Sequence, residues 1–197
     1  MLGMVLHGMQ GTPYIYQGEE LGLFEVADIP WDQLEDPSAF TSQNNGVLKG
    51  RDGCRVPLPW VSADTDGSFG FSPADASEKP HLPQPAWFAD FSADVEADDA
   101  DSMLSLYRAA LKLRHEFQTN DLSLEWLEQD KESGLTDGAD GNPGGIIAYK
   151  RANGWANLTN FSATPAELPA GEVVLASGEL TADGKLPQDT SVWIKLD

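Results

Sequence analysis

Between Ser102 and Phe117, apolar side chains fall at Met103, Leu106, Tyr107, Ala110, Leu113 and Phe117. Spacings of three and four residues put them on one face of a helix. Asp98, Asp99, Asp101 and Ser102 precede this run and Lys112, Arg114 and His115 close it, so the charges suit the two ends of the helix dipole. A shorter apolar pattern at Met1, Leu2, Met4, Val5 and Met9 predicts the last turns of another helix. With no capping residue ahead of it, that helix reads as severed from a longer element. Tyr14-Ile15-Tyr16, set between Pro13 and Gly18, is β-prone and predicts a short buried strand, although no neighbouring strand lies near it in sequence.

From Glu25 to about Asp98 no periodicity persists, and the chain is rich in Pro, Gly, Asp and Ser. Aromatics scattered through it, among them Trp31, Phe40, Trp60, Phe69, Phe71, Trp87, Phe88 and Phe91, predict a long docked excursion and not a disordered segment. After the long helix, β-prone runs at Leu122–Leu127, Ile146–Lys150, Trp155–Phe161, Glu172–Ala176 and Ser191–Leu196 are separated by Gly, Asn, Asp and Pro. This spacing predicts a small antiparallel β-domain. No internal repeat interrupts the pattern.

Composition narrows the partners. Twelve basic against 32 acidic side chains leave a formal charge of −20, which disfavours nucleic acid and anionic membrane surfaces. A neutral ligand such as a sugar suits that surface, and most of the carboxylates read as a solvated face. Cys54 is the single cysteine, so no internal disulfide is available and a reducing, cytoplasmic location is expected. The apolar N-terminus lacks the basic flank of a signal peptide, and no run has the length of a membrane helix. Asn157-Leu-Thr159 and Asn160-Phe-Ser162 have the form of glycosylation acceptors but read as strand residues. Neither metal nor cofactor is expected. His7, His81 and His115 lack ligand spacing, and Ser62-Ala-Asp64-Thr-Asp66-Gly67 matches a calcium loop only superficially.

Two longer motifs carry a resemblance. Gln10-Gly-Thr-Pro-Tyr-Ile-Tyr-Gln-Gly-Glu-Glu-Leu-Gly22 resembles the eighth barrel strand and following loop of α-glucosidases in the α-amylase family, glycoside hydrolase family 13. Gly50-Arg51-Asp52-Gly53-Cys54-Arg55-Val56-Pro57-Leu58-Pro59-Trp60 is similar to that family's arginine-aspartate-x-x-arginine-threonine-proline element, with Val56 where threonine is common. The resemblance continues through Phe69-Gly70-Phe71-Ser72-Pro73 and Leu82-Pro83-Gln84-Pro85 to the long helix. It ends in the β-sandwich domain that closes these enzymes. It implies the end of a (β/α)8 barrel over residues 1–118 (last strand, long loop, last helix), followed by a small antiparallel β-domain over 119–197.

For the site, the resemblance implies that an arginine of the second motif lines the pocket for a terminal glucose, Arg51 first and Arg55 second. The alternative is that both only stitch the loop to the barrel. One of Glu19 or Glu20, with Tyr16 or Gln17 at the rim, would complete a pocket wall, although either glutamate could instead pair with barrel arginines. Trp60, Trp87 and Trp155 could stack on sugar, but packing is the expected role.

Glycoside hydrolysis with retention needs two carboxyl groups about 5 to 5.5 Å apart across one bond. Glu19 and Glu20 are adjacent and, in an extended chain, would point to opposite faces. The family's nucleophile aspartate, acid/base glutamate and transition-state-stabilising aspartate belong to segments ahead of the eighth strand. The expectation is therefore a fragment of an α-glucosidase acting on α-glucoside oligosaccharides, inactive alone, with the missing N-terminal barrel part as a possible partner. A glucan- or partner-binding β-domain and a subunit completing a split barrel stand as alternatives.

Overall fold

A computed structural model describes residues 1–41, 46–64, 67–127 and 145–197. Its main elements are helices α1 (Leu2–Gly8), α2 (Ala93–Asp98) and α3 (Met103–Phe117), and strands β1 (Leu124–Trp126), β2 (Ile146–Arg151), β3 (Trp155–Asn160), β4 (Gly171–Ala176) and β5 (Thr190–Leu196). Two compact units form: Met1–Pro13 with Tyr107–Asp197, and Tyr14–Leu106. The split does not follow chain order, because α1 belongs with the C-terminal residues.

In the first unit the five strands make one antiparallel sheet in the order β1-β2-β3-β5-β4. Its registers place Ala148 opposite Leu158, Leu158 opposite Val192 and Ala156 opposite Ile194. Alternation then gathers Ile146, Ala148, Ala156, Leu158, Val192 and Ile194 into one apolar face, covered by Ala166 and Leu186. The opposite face carries Asn157, Thr159, Ser191 and Trp193, all fully buried or nearly so. Their side chains satisfy one another: Thr159 and Ser191 hydroxyls lie 2.7 Å apart, Ser191 donates to Asn157 Oδ1 at 3.2 Å, and so does Trp193 Nε1 at 3.2 Å. Burial of Asn157 and Asn160 bears out their reading as strand residues.

Helix α1 packs on this second face. Seven residues leave most of its carbonyls without an intrahelical partner, and side chains supply the donors. Trp193 Nε1 donates to the Met4 carbonyl at 3.1 Å, Tyr149 to Val5 at 2.6 Å and Arg151 to Gly8 at 3.2 Å. The Arg114 guanidinium reaches the carbonyls of His7, Met9 and Gly11. Close approach requires glycine at two helical positions, since a Cβ on Gly3 would lie 2.6 Å from the Tyr107 hydroxyl and one on Gly8 would run into Tyr149.

The second unit has no described strand, yet it has a core of Val26, Ile29, Leu34, Val56, Phe69, Leu82 and Phe88 with Trp87 against it. The excursion is thus docked, as expected. Its aromatics divide between this core and solvent: Phe69 and Phe88 are buried, whereas Phe40 and Trp60 stay exposed. Apart from α2 and the first turn of α3, short 3₁₀ turns stand where regular elements would. Ser102 caps the first turn of α3 through Ser105 N–H at 3.1 Å, and Glu96 accepts from Leu104 N–H at 2.9 Å.

One sequence expectation fails. Tyr14-Ile15-Tyr16 is neither strand nor buried, with Tyr14 88% exposed. A strand exists only where a neighbour completes its ladder, and no described strand pairs with this run.

Candidate functional site

The Tyr16–Gly22 segment turns on two glycines. Gly18 (φ 89°) and Gly22 (φ 60°) adopt the left-handed conformation at the ends of the 3₁₀ turn Glu19–Leu21, where a Cβ would be strained. Glu19 and Glu20 therefore sit on a tight turn, about 120° apart, and not in extended chain. Their carboxylates fold back onto the turn itself: Glu19 Oε2 accepts from Tyr16 N–H at 3.2 Å and Glu20 Oε2 from Gly18 N–H at 2.9 Å. The premise of opposite faces is corrected: the pair sits on one tight turn, and each carboxylate is engaged by a backbone N–H of its own segment.

The arginine element is held by two aspartates that the sequence reading passed over. Asp52, 3% exposed, accepts from Glu35 N–H at 2.6 Å and Asp36 N–H at 2.8 Å. Asp36 in turn accepts from Ser38 N–H at 2.9 Å, Arg51 N–H at 2.9 Å and the Arg55 guanidinium at 3.3 Å. Hydrogen bonds from the Ser38 N–H and hydroxyl, then from Arg51 N–H, with the Arg55 charge behind them, hold the Asp36 carboxyl down at about 2. A Cβ at Gly50 (φ 77°) would lie 2.7 Å from the Asp36 side chain, so glycine is needed there. Arg55 thus stitches the loop, whereas the Arg51 guanidinium has no partner among the described residues. Asp36-Pro37-Ser38 has the form of a turn-initiating, capping signal, which could have found Asp36; Asp52 lay inside the motif, behind its arginines.

Two hollows result. The smaller, about 210 Å³, is lined by Tyr16, Gln17 and Glu19 of the first motif, Cys54 of the second, and Phe24 and Glu25 between them. Cys54 Sγ donates to the Arg51 carbonyl at 3.1 Å and lies 3.9 Å from the Tyr16 hydroxyl, which joins the two motifs. The larger, about 880 Å³, holds Arg51 with Lys49 and Trp31. Glu25 and Gly53 line both. The expected site residues are therefore partly gathered: Tyr16, Gln17 and Glu19 share a hollow, Arg51 lies in the adjoining one, and Glu20 and Arg55 line neither. Size does not decide between them; the smaller hollow brings residues of both motifs together.

Elsewhere, the Glu96 carboxyl is raised, first by burial and then by the charges of Asp99 and Glu20. Trp155 stacks on Phe117 and touches Trp193, and Trp87 packs edge-on against Phe24, Phe88 and Phe91. Both are packing residues; Trp60 is exposed. Among the described residues no group of three or more His, Cys, Asp or Glu is arranged for a metal, and no helix is long and apolar enough to cross a membrane. Thr65 and Asp66 of the calcium-like run lie outside the described residues.

Known proteins resemble this chain in sequence and fold. The chain is 35% identical over 114 residues to a probable α-glucosidase of Rhizobium meliloti (58% of this chain, 19% of that protein). It is 31% identical over 178 residues to an α-glucosidase of Pediococcus pentosaceus (82% and 28%). Among solved structures, an α-glucosyl transfer enzyme superposes with a TM-score of 0.69 at 33% identity, covering 98% of this chain and 34% of that one. The chain thus spans a fifth to a third of the length of these relatives. Residues 1–121 match the model of the α-amylase catalytic domain, and on that match over more than half its length the chain belongs to the α-amylase family.

Proposed function

We propose that this chain forms a substrate-pocket wall of an α-glucosidase that hydrolyses terminal α-linked glucose of oligosaccharides, with residues 1–118 from the catalytic barrel and 119–197 as its terminal β-domain. The relatives named α-glucosidase and oligo-1,6-glucosidase support the substrate class. One observation carries the assignment of the wall: Tyr16, Gln17 and Glu19 meet Cys54 of the arginine element around one hollow. Aromatic, amide and carboxylate groups are the chemistry that receives sugar rings and hydroxyls.

By itself the 197-residue polypeptide should bind but not cleave. Glu19 and Glu20 are engaged by backbone N–H groups, so neither is presented as one half of an acid and nucleophile pair. Titrating the purified chain with maltose and isomaltose, and assaying nitrophenyl α-glucoside hydrolysis in parallel, tests this. Binding without turnover is expected. Absence of any glucoside binding sinks the pocket assignment, and glucose release that follows the chain through purification sinks the inactivity.

A second reading, a subunit that completes a split barrel, is favoured by the exposed, unpaired Tyr14-Ile15-Tyr16 run. Its aromatic area and the backbone of Tyr14 and Ile15 are open to a neighbouring strand, whereas the Tyr16 N–H and carbonyl are already engaged by Glu19. Co-expression with an N-terminal barrel part should then restore hydrolysis. A sandwich layer added to the single described sheet, and the cytoplasmic location supported by the exposed single thiol of Cys54, belong to the same proposal.

A further inference from the structure

The two hollows differ in charge as well as size. Of the residues lining the smaller one, Glu19 and Glu25 are acidic and none is basic. Lys49 and Arg51 line the other. Glu25 stands at the partition, and its place is set by backbone: Val26 N–H donates to the Gly53 carbonyl at 3.0 Å, and the Glu25 side chain runs across Gly53 so closely that a Cβ there would lie 2.7 Å from its Cγ. Among the described residues the Glu25 carboxylate has no hydrogen-bond or ion-pair partner. Glu19, by contrast, already receives Tyr16 N–H.

We infer that the hollow of Tyr16, Phe24, Glu25 and Cys54 selects uncharged glucosides over phosphorylated ones, with Glu25 the discriminating residue. This rests on the reading of that hollow as a glucoside site. A carboxylate with open acceptor positions takes hydrogen bonds from sugar hydroxyls, whose donors are neutral. The same group repels a phosphate dianion, and no lining cation offsets that repulsion.

The test measures affinities of the full chain for maltose and maltose 6′-phosphate. The wild-type chain should prefer maltose by roughly tenfold, the scale of one partly screened like-charge repulsion. Glu25→Gln keeps an acceptor and removes the charge. It should shrink the preference by about fivefold while maltose affinity stays within about twofold, and added salt should shrink the wild-type preference in the same direction. Glu78→Gln, an exposed change in the same unit, controls for net charge and should leave the ratio alone. Glu25 is exposed, so both variants should melt like wild type. Maltose binding with equal affinity for the phosphate, or a ratio that Glu25→Gln does not move more than Glu78→Gln, overturns the inference and leaves the glucoside site standing. Failure of the wild-type chain to bind either sugar overturns both.

Discussion

The unit of α1 and the sheet and the unit of Tyr14–Leu106 solve the same problem, partners for backbone polar groups, in opposite ways. In the first, strands pair with strands, and the orphan carbonyls of α1 are met by side-chain donors: Tyr149, Trp193, Arg114 and Arg151. In the second, orphan N–H groups predominate, and side-chain acceptors meet them: Asp36, Asp52, Asp94, Glu19, Glu20 and Glu96. The acidity of the chain is therefore not only a solvated face. Several of its carboxylates are the hydrogen-bond acceptors of a fold built from loops, where no ladder exists to do that job.

Removing an acceptor from the loop-built unit should have the largest effect. Asp52→Ala orphans the N–H groups of Glu35 and Asp36 and should cost about 3 kcal/mol, whereas Asp52→Asn retains an acceptor and should cost less than half of that. Hydrogen exchange resolved by segment checks this, with protection lost over 23–60 and kept over 146–196. If the sheet loses protection equally, the contrast between the units is wrong.

Removing a donor from the other unit comes next. Tyr149→Phe leaves the buried Val5 carbonyl without its partner and should cost about 1.5 kcal/mol, seen as faster exchange in α1 and the sheet. Unchanged α1 protection would show that the tyrosine hydroxyl is incidental to docking.

Acid titration separates two carboxylates of opposite sign within the loop-built unit. Asp36 is held at about 2 against an ordinary 3.8, so its stabilisation is present above 3.8 and is lost as pH falls towards 2. Glu96 is raised above its ordinary 4.5, so its contribution is favourable below 4.5 and fades as pH rises through the folded value. Urea midpoints followed against pH should show a smaller acid-side drop in Asp36→Asn, the remainder coming from Asp94, Asp121 and Asp183, which are also held low. In Glu96→Gln they should lose the decline above about 4.5. A pH profile that Glu96→Gln leaves unaltered removes Glu96 from this picture. Smallest of all, Arg55→Ala breaks a half-exposed ion pair to Asp36 and should cost about 0.5 kcal/mol. A loss several times larger would make Arg55 a main support of the arginine element.

The helices and the sheet were legible in sequence because each carries its own period. Met103 to Phe117 repeats at helical spacing, and the five β-prone runs match β1 to β5 to within about two residues at their ends. Tyr14-Ile15-Tyr16 was misread because β propensity states only that a residue tolerates a pleated, half-buried surface; the neighbour that would make it a strand is not local information. For the candidate site, the two motifs named stretches that meet around one hollow, yet not which side chains within them meet.

What the sequence by itself determined is the family, the glycine-governed turns and the alternation that gives the sheet an apolar face. These follow from local geometry and from motifs of contiguous residues. Only the tertiary structure decided that α1 joins the C-terminal sheet, that Asp36 and Asp52 carry the arginine element, and that Glu25 divides an acidic hollow from a basic one. Each of those depends on contacts between segments distant in the chain, Tyr149 with Val5 or Gly53 with Glu25, and no local pattern encodes a contact whose two halves lie that far apart.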